Sequence, residues 1–195
     1  MKKLLQLPGR VEMYAKWFLL VFANFVAILI NLPSALLVAF FVQRDGRLPN
    51  WLSWFQTPDT SSDGDPGWKT EHWQWRFKLP MALATYVGRV GWLWRNPVYG
   101  FATSVLGAKM EPGDSLAVAG DPLTSNRPIH AGTVRRTLWR EGEAVYWQFY
   151  YVRRWSATRC LRINLGWKLW DYAPGRAANF TFVCSINPLM GLSEA

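Results

Sequence analysis

From Trp17 to Val42 the chain runs for 26 residues without a charged side chain, WFLLVFANFVAILINLPSALLVAFFV, and that run constrains the fold more than any other feature. As a continuous helix it rises ~39 Å, more than the ~30 Å hydrocarbon core of a bilayer needs. As a core helix it would need cover on every side, which a chain of 195 residues supplies poorly. A cleaved signal peptide fits poorly too, because the run exceeds an ordinary hydrophobic region and ends without a small-x-small site. The sequence therefore predicts a retained membrane anchor. Its first half carries Trp17, Phe18, Leu19, Phe22, Phe25 and Ile28, and its second Leu29, Pro33, Leu36, Leu37, Phe40 and Phe41.

Asn31, Pro33 and Ser34 interrupt the run near its middle. Proline removes a backbone donor and crowds the preceding turn, so a kink or a break is expected there. A kinked helix would cross the bilayer, and Lys2, Lys3, Arg10 and Lys16 before it, against Arg44 and Arg47 after it, favour a cytoplasmic N-terminus. A turn at Asn31-Leu32-Pro33 would instead give a hairpin dipping into one leaflet. The hairpin is the favoured shape, since it leaves the cations of both flanks at one anionic surface.

The expected organisation is α+β: a membrane anchor with a basic N-terminus over 1–45, then an aromatic-rich α+β domain over 46–195. Residues 46–78 are rich in Pro, Gly, Asp and Ser, and read as an ordered loop hung on Trp51, Trp54, Phe55 and Trp68. Asp59, Asp63 and Asp65 lack the later bidentate Glu of a calcium loop and read as turn-forming acids. Over 79–96, Leu79, Leu83, Tyr86, Val87, Val90 and Trp94 recur at three- and four-residue steps, which predicts an amphipathic helix ended by Asn96-Pro97. Trp73, Trp75, Arg89, Trp92, Trp94 and Arg95 are its candidates for contact with a membrane interface. From 110 to 190 the pattern turns to short β-like runs, Ser115–Ala119, Thr133–Trp139, Ala144–Val152, Arg159–Leu169 and Asn179–Ile186, several of them separated by turn signals, which predict an antiparallel β meander or small barrel.

The net charge of +9 divides into +5 over residues 1–108 and +4 over 109–195, so neither half is a nucleic-acid tail. Thirteen tryptophans tilt the basic balance toward a membrane surface, where the indole ring is favoured. No P-loop, dinucleotide fingerprint or nucleophile motif occurs, and His72 and His130 stand apart from any such motif, so the reading is non-catalytic, with no cofactor and no metal. Cys160 and Cys184 fall on opposite strand faces, which argues against a disulfide. The strongest local binding candidate is the basic set Arg135, Arg136, Arg153, Arg154, Arg159, Arg162 and Lys168, interleaved with aromatic residues. Such a set grips lipid phosphates or single-stranded nucleic acid, with nucleic acid the lesser of the two here.

Trp54-Phe55-Gln56-Thr57-Pro58-Asp59, Asp63-Gly64-Asp65 before Gly67-Trp68, the run Trp92-Leu93-Trp94-Arg95-Asn96-Pro97-Val98-Tyr99-Gly100-Phe101 and the later Leu165-Gly166-Trp167-Lys168-Leu169 resemble a family of small uncharacterised proteins from tailed bacteriophages. The resemblance covers much of residues 50–170. It implies an apolar N-terminal segment, a phage origin and a host-membrane setting, and it brings no catalytic residue with it. The expectation is a phage accessory protein at the host inner membrane, its C-terminal domain cytoplasmic, binding lipid, a membrane protein partner or further copies of itself. The alternatives are a virion structural or DNA-ejection component and a membrane-tethered nucleic-acid binder.

Overall fold

A computed structural model describes residues 7–72, 78–121, 132–169 and 179–191. The layout is α+β, with an apolar N-terminal helix, further helices and a C-terminal antiparallel sheet. The helices are α1 (Leu7–Val38), α2 (Pro66–His72), α3 (Met81–Arg95) and α4 (Tyr99–Ser104), with 3-10 turns at Ala39–Phe41 and Asn50–Phe55. The strands are β1 (Ala108–Lys109), β2 (Ser115–Gly120), β3 (Gly132–Arg140), β4 (Glu143–Arg154), β5 (Arg159–Trp167), β6 (Asn179–Phe180) and β7 (Phe182–Gly191).

The chain packs as two compact units, Met1–Val21 with Gly107–Ala195, and Phe22–Leu106. The expected boundary between 45 and 46 is therefore not where the packing divides. The reason is that the anchor carries core residues: Met13 is buried in the first unit, and Ala35, Val38 and Ala39 are buried in the second.

α1 is one continuous helix, and the favoured turn at Asn31-Leu32-Pro33 does not form. Two side-chain hydrogen bonds lie beside Pro33. Ser34 Oγ donates to Ile30 O at 2.5 Å, a bond to the carbonyl four residues back. Asn31, fully buried, donates from Nδ2 to Leu93 O at 3.1 Å, so its polar group is used in packing instead of turning the chain. The helix tightens to a 3-10 turn at Ala39–Phe41 and stops at Val42, which is extended. Gly46, at φ +78°, then closes a tight loop through Gln43 N to Arg47 O at 2.8 Å.

In the second unit, two of the four aromatics named for the loop after α1 turn inward. Phe55 and Trp68 are buried, whereas Trp51 and Trp54 are exposed. The polar anchor is Gln56, 5 % exposed, whose Oε1 accepts from Leu48 N at 2.7 Å while Nε2 donates to Thr60 O at 3.1 Å. Of the three acids, Asp65 forms a turn, its Oδ1 accepting from Trp68 N at 2.6 Å at the start of α2, whereas Asp63 pairs with Arg89. α3 ends at Asn96 ahead of Pro97, as the residue before a proline is driven out of helical space.

In the first unit a five-stranded meander runs in the order β2-β3-β4-β5-β7, with every neighbour antiparallel, and β1 pairs with β6. Among the described residues the large sheet is open, with β2 and β7 as its edges. One face carries Val134, Leu138, Gln148, Tyr150, Val152, Cys160 and Asn164, all buried; the opposite face carries Trp147 and Trp167, buried, with Phe149, Tyr151, Ile163 and Leu165 only partly covered. Gly166, at φ +99°, closes on Trp147 O so tightly that a side chain there would collide with the β4 backbone.

Candidate functional site

Viewed down its axis, α1 has two unlike sides. In the second unit Asn31, Ala35, Val38 and Ala39 point inward, with Ala27 and Ile28 packed beside them against Leu52, Phe55, Val90 and Leu93. The side roughly opposite carries Phe22 (70 % exposed), Phe25, Leu29, Leu36, Leu37 (66 %) and Phe40 (71 %), spaced so that they fall on one face at 3.6 residues per turn. In the first unit the same rule holds: Trp17 is half-buried, while Phe18 and Leu19 are exposed. Of the twelve predicted anchor residues, only Trp17 and Ile28 are half-buried, and the other ten are exposed. The exposed side carries a shallow apolar groove of about 570 Å³ lined by Val26, Leu29, Ile30, Pro33, Ser34 and Leu37.

α3 runs antiparallel beside α1 and extends this surface. Tyr86 Oη donates to Leu36 O at 2.8 Å and Trp94 Nε1 donates to Leu32 O at 2.9 Å, which together with the Asn31 bond give three side-chain to main-chain bridges along one seam. Phe40 stacks on Tyr86 with ring centroids 4.5 Å apart. Leu83, Val87 and Trp94 remain exposed on the outer side of α3, and no charge lies among them. The cation within the helix, Arg89, turns the other way and donates from Nε to Asp63 Oδ1 at 2.7 Å.

At the C-terminal end of α1 the apolar surface meets aromatic rings and cations. Phe41 packs edge-on against the exposed Trp51 at 5.5 Å, Trp54 Nε1 donates to Trp51 O at 2.7 Å, and Arg44 and Arg47 are exposed in the loop that follows. Of the predicted interface residues, Trp94 and Arg95 are exposed. Arg89 is held by Asp63 and Trp92 is buried, while Trp73 and Trp75 lie outside the described residues. Arg95 lies over the rings of Trp68 and Trp92 at 5.4 and 5.8 Å. Sequence reading missed the outward role of Trp51 and the inward roles of Trp92 and Arg89, because spacing alone does not tell which side of a helix a distant loop will cover.

In the first unit the start of α1 docks on the sheet through aromatic edges: Tyr14 and Trp17 lie 5.0 and 5.2 Å from Trp147, and Trp17 lies 6.2 Å from Phe182. Beside this contact a small polar groove of about 220 Å³ is lined by Glu12, Met13, Lys16, Arg140, Glu143 and Tyr146 among others. Arg140 donates from Nε and Nη2 to the two carboxylate oxygens of Asp114, each at 2.9 Å, and Nη1 lies 2.8 Å from Glu111 Oε1. The Arg140 hydrogen bond holds the Asp114 carboxyl below its ordinary range, and the same contact raises Arg140.

The predicted basic set does not share one surface. Adjacent residues on a strand point to opposite faces, so Arg135 and Arg136 diverge, as do Arg153 and Arg154. Arg135 is exposed with its guanidinium 5.7 Å from the Phe149 ring, whereas Arg136 is buried on the other face. Arg154 and Arg159 instead tie down the β4–β5 and β7 backbone, donating to Ala157 O at 3.0 Å and Leu189 O at 2.8 Å. Arg162 sits half-buried near Tyr150, whose phenol burial pushes up and Arg162 pulls partly back; Lys168 is half-buried after β5. Cys160 and Cys184 are free thiols, both raised by desolvation.

Among the described residues no three His, Cys, Asp or Glu side chains converge as a metal site. The feature with chemical consequence is thus the uncharged apolar surface of α1 and α3 with its rim of Trp51, Arg44 and Arg47. Residues 10–194 match a family of unknown function, DUF7338. No curated protein and no solved structure matches the chain.

Proposed function

As the chain belongs to the DUF7338 family, whose function is unknown, we propose on physical grounds that it is a non-catalytic protein held at a membrane by α1. On the phage resemblance, the membrane is the host inner membrane and the protein an accessory that binds lipid or a membrane protein partner. One observation carries the reading. The helix Val11–Phe41 is long and apolar enough to cross a bilayer, yet only 17 % of its most apolar stretch is buried by the rest of the chain. Soluble monomers rarely leave contiguous apolar patches beyond a few hundred Å² in water, so such a surface is made to meet lipid or protein. Tryptophans and arginines beside its end match the amphipathic boundary of a bilayer.

The test is fractionation of the full chain expressed in bacteria, followed by high-salt and alkaline carbonate washes. A truncation starting at Gly46 would remove core residues of α1, so the comparison is the full chain with Phe22, Phe25 and Leu37 replaced by Gln. Retention of the parent with release of the variant supports the reading. Release of both, with the parent recovered in mature virions from infected cells, replaces it with a structural role in which neighbouring subunits cover the helix. The nucleic-acid reading draws less support, because the cations it needs are divided between two sheet faces.

A further inference from the structure

We infer that α1 lies along the membrane surface, sinking its outward face and that of α3 into the acyl chains of one leaflet, and does not cross. The inference rests on the membrane reading above and specifies how the contact is made.

The argument starts from what covers the inner side of α1. A crossing helix meets lipid all round, or packs against neighbours whose backbone is itself satisfied in hydrocarbon. In the second unit the inner side is covered by α3 and by the core residues Leu48, Leu52 and Phe55 of an irregular loop. That loop buries Gln56, Thr57 and Ser62, exposes Arg44, Asp45 and Arg47, and supplies Asp63 to Arg89. Irregular backbone with exposed charge is not tolerated in the hydrocarbon region. α3 offers no return path, since 15 residues rise only ~22 Å against a ~30 Å core. An in-plane helix resolves the conflict. Its outward face sinks ~5–10 Å, and the polar loop stays above on the aqueous side.

The same disposition accounts for α3. Leu83, Val87 and Trp94 are exposed on its outer side, and the bridges from Tyr86 and Trp94 to α1 carbonyls hold that side next to the outward face of α1. The three bridges use seam donors internally, which an apolar environment demands. The occupant is lipid, as charge complementarity indicates: cations Arg44 and Arg47 with the exposed Trp51 follow the end of α1, where anionic headgroups and the interface would lie.

The test places a nitroxide in turn at Phe22, Leu29, Leu36, Phe40 and Val87, through Cys substitutions such as Phe22→Cys, in the full chain with Cys160 and Cys184 replaced by Ser. The five positions are exposed, and at Phe40 the label takes the place of the ring stacked on Tyr86. In vesicles of phosphatidylethanolamine and phosphatidylglycerol, collision rates with oxygen against a nickel chelate give the depth of each label. The expected result is one shallow depth, within a few Å, for all five. A spanning helix would separate Phe22 from Phe40 by ~27 Å along the normal, so depth that passes through a maximum between them overturns the inference and leaves the membrane reading standing. A water-exposed label at Val87 with the α1 labels in lipid overturns the part assigned to α3. Labels that never enter lipid, with the chain dimeric in solution, overturn both and assign the surface to a second copy.

Discussion

Replacing Phe22, Phe25 and Leu37 together by Gln separates membrane affinity from folding. These side chains are 70, 54 and 66 % exposed, so they contribute little to either core. Full burial of a Phe or Leu side chain is worth about 1.5–3 kcal/mol, and scaling by these exposures leaves about 1–2 kcal/mol for each on transfer to lipid. The three together come to about 3–6 kcal/mol, and at ~1.4 kcal/mol per tenfold the partition coefficient falls about a hundred- to ten-thousand-fold. Gln keeps the helix propensity of Leu, so unfolding free energy should move by no more than about 0.5 kcal/mol. The assay is co-sedimentation with vesicles over a lipid titration, with urea unfolding of the same samples as the control. Unchanged sedimentation with unchanged unfolding would refute the assignment of this face to lipid. Loss of both together would mean that the face is part of the core.

Gly100→Ala should destabilise the second unit by more than ~1 kcal/mol, read by urea unfolding, because a Cβ there meets the backbone at Ser53 O, Gln56 O (2.6 Å) and Trp54 Cα (2.8 Å). Trp147→Ala, at a site only 9 % exposed and ringed by Tyr14 and Trp17, should lower stability by about 3–5 kcal/mol and flatten the near-ultraviolet circular dichroism. Asp114 has a carboxyl pKa lowered on folding, so its contribution is present above the ordinary value of ~3.9 and is lost as pH falls through the lower folded value. Arg140→Gln should therefore lower stability at neutral pH and flatten the loss of stability on acidification through that window. Equal acid sensitivity in parent and variant would show that this pair does not set it.

Much of the fold is legible in the sequence. The β-branched and aromatic runs at Ala144–Val152 and Arg159–Leu169, set off by turn residues such as Glu141-Gly142-Glu143, lie close to the observed β4 and β5, because bulky side chains of that kind fit a pleated surface. Asn96-Pro97 marked the end of α3 for a reason local to the backbone. The candidate surface was legible as a list of apolar residues and illegible as a shape. A helix that is apolar all round carries no record of which side its own chain will cover, so Asn31 read as a turn when it is a buried donor to Leu93 O. Arg135 and Arg136 read as one basic surface, although strand parity sends them to opposite faces and tertiary packing buries only the second.

An α+β layout with an uncharged apolar segment of spanning length thus follows from the sequence alone, since local propensity and periodicity are written residue by residue. That α1 stays whole through Pro33, that Phe55 and Trp68 face inward while Trp51 faces out, and that α3 joins its outer side to that of α1 came from packing between distant segments. Those outcomes depend on which distant residues fill the space beside a helix, and contacts such as Asn31 with Leu93 join positions 62 residues apart that no local pattern connects.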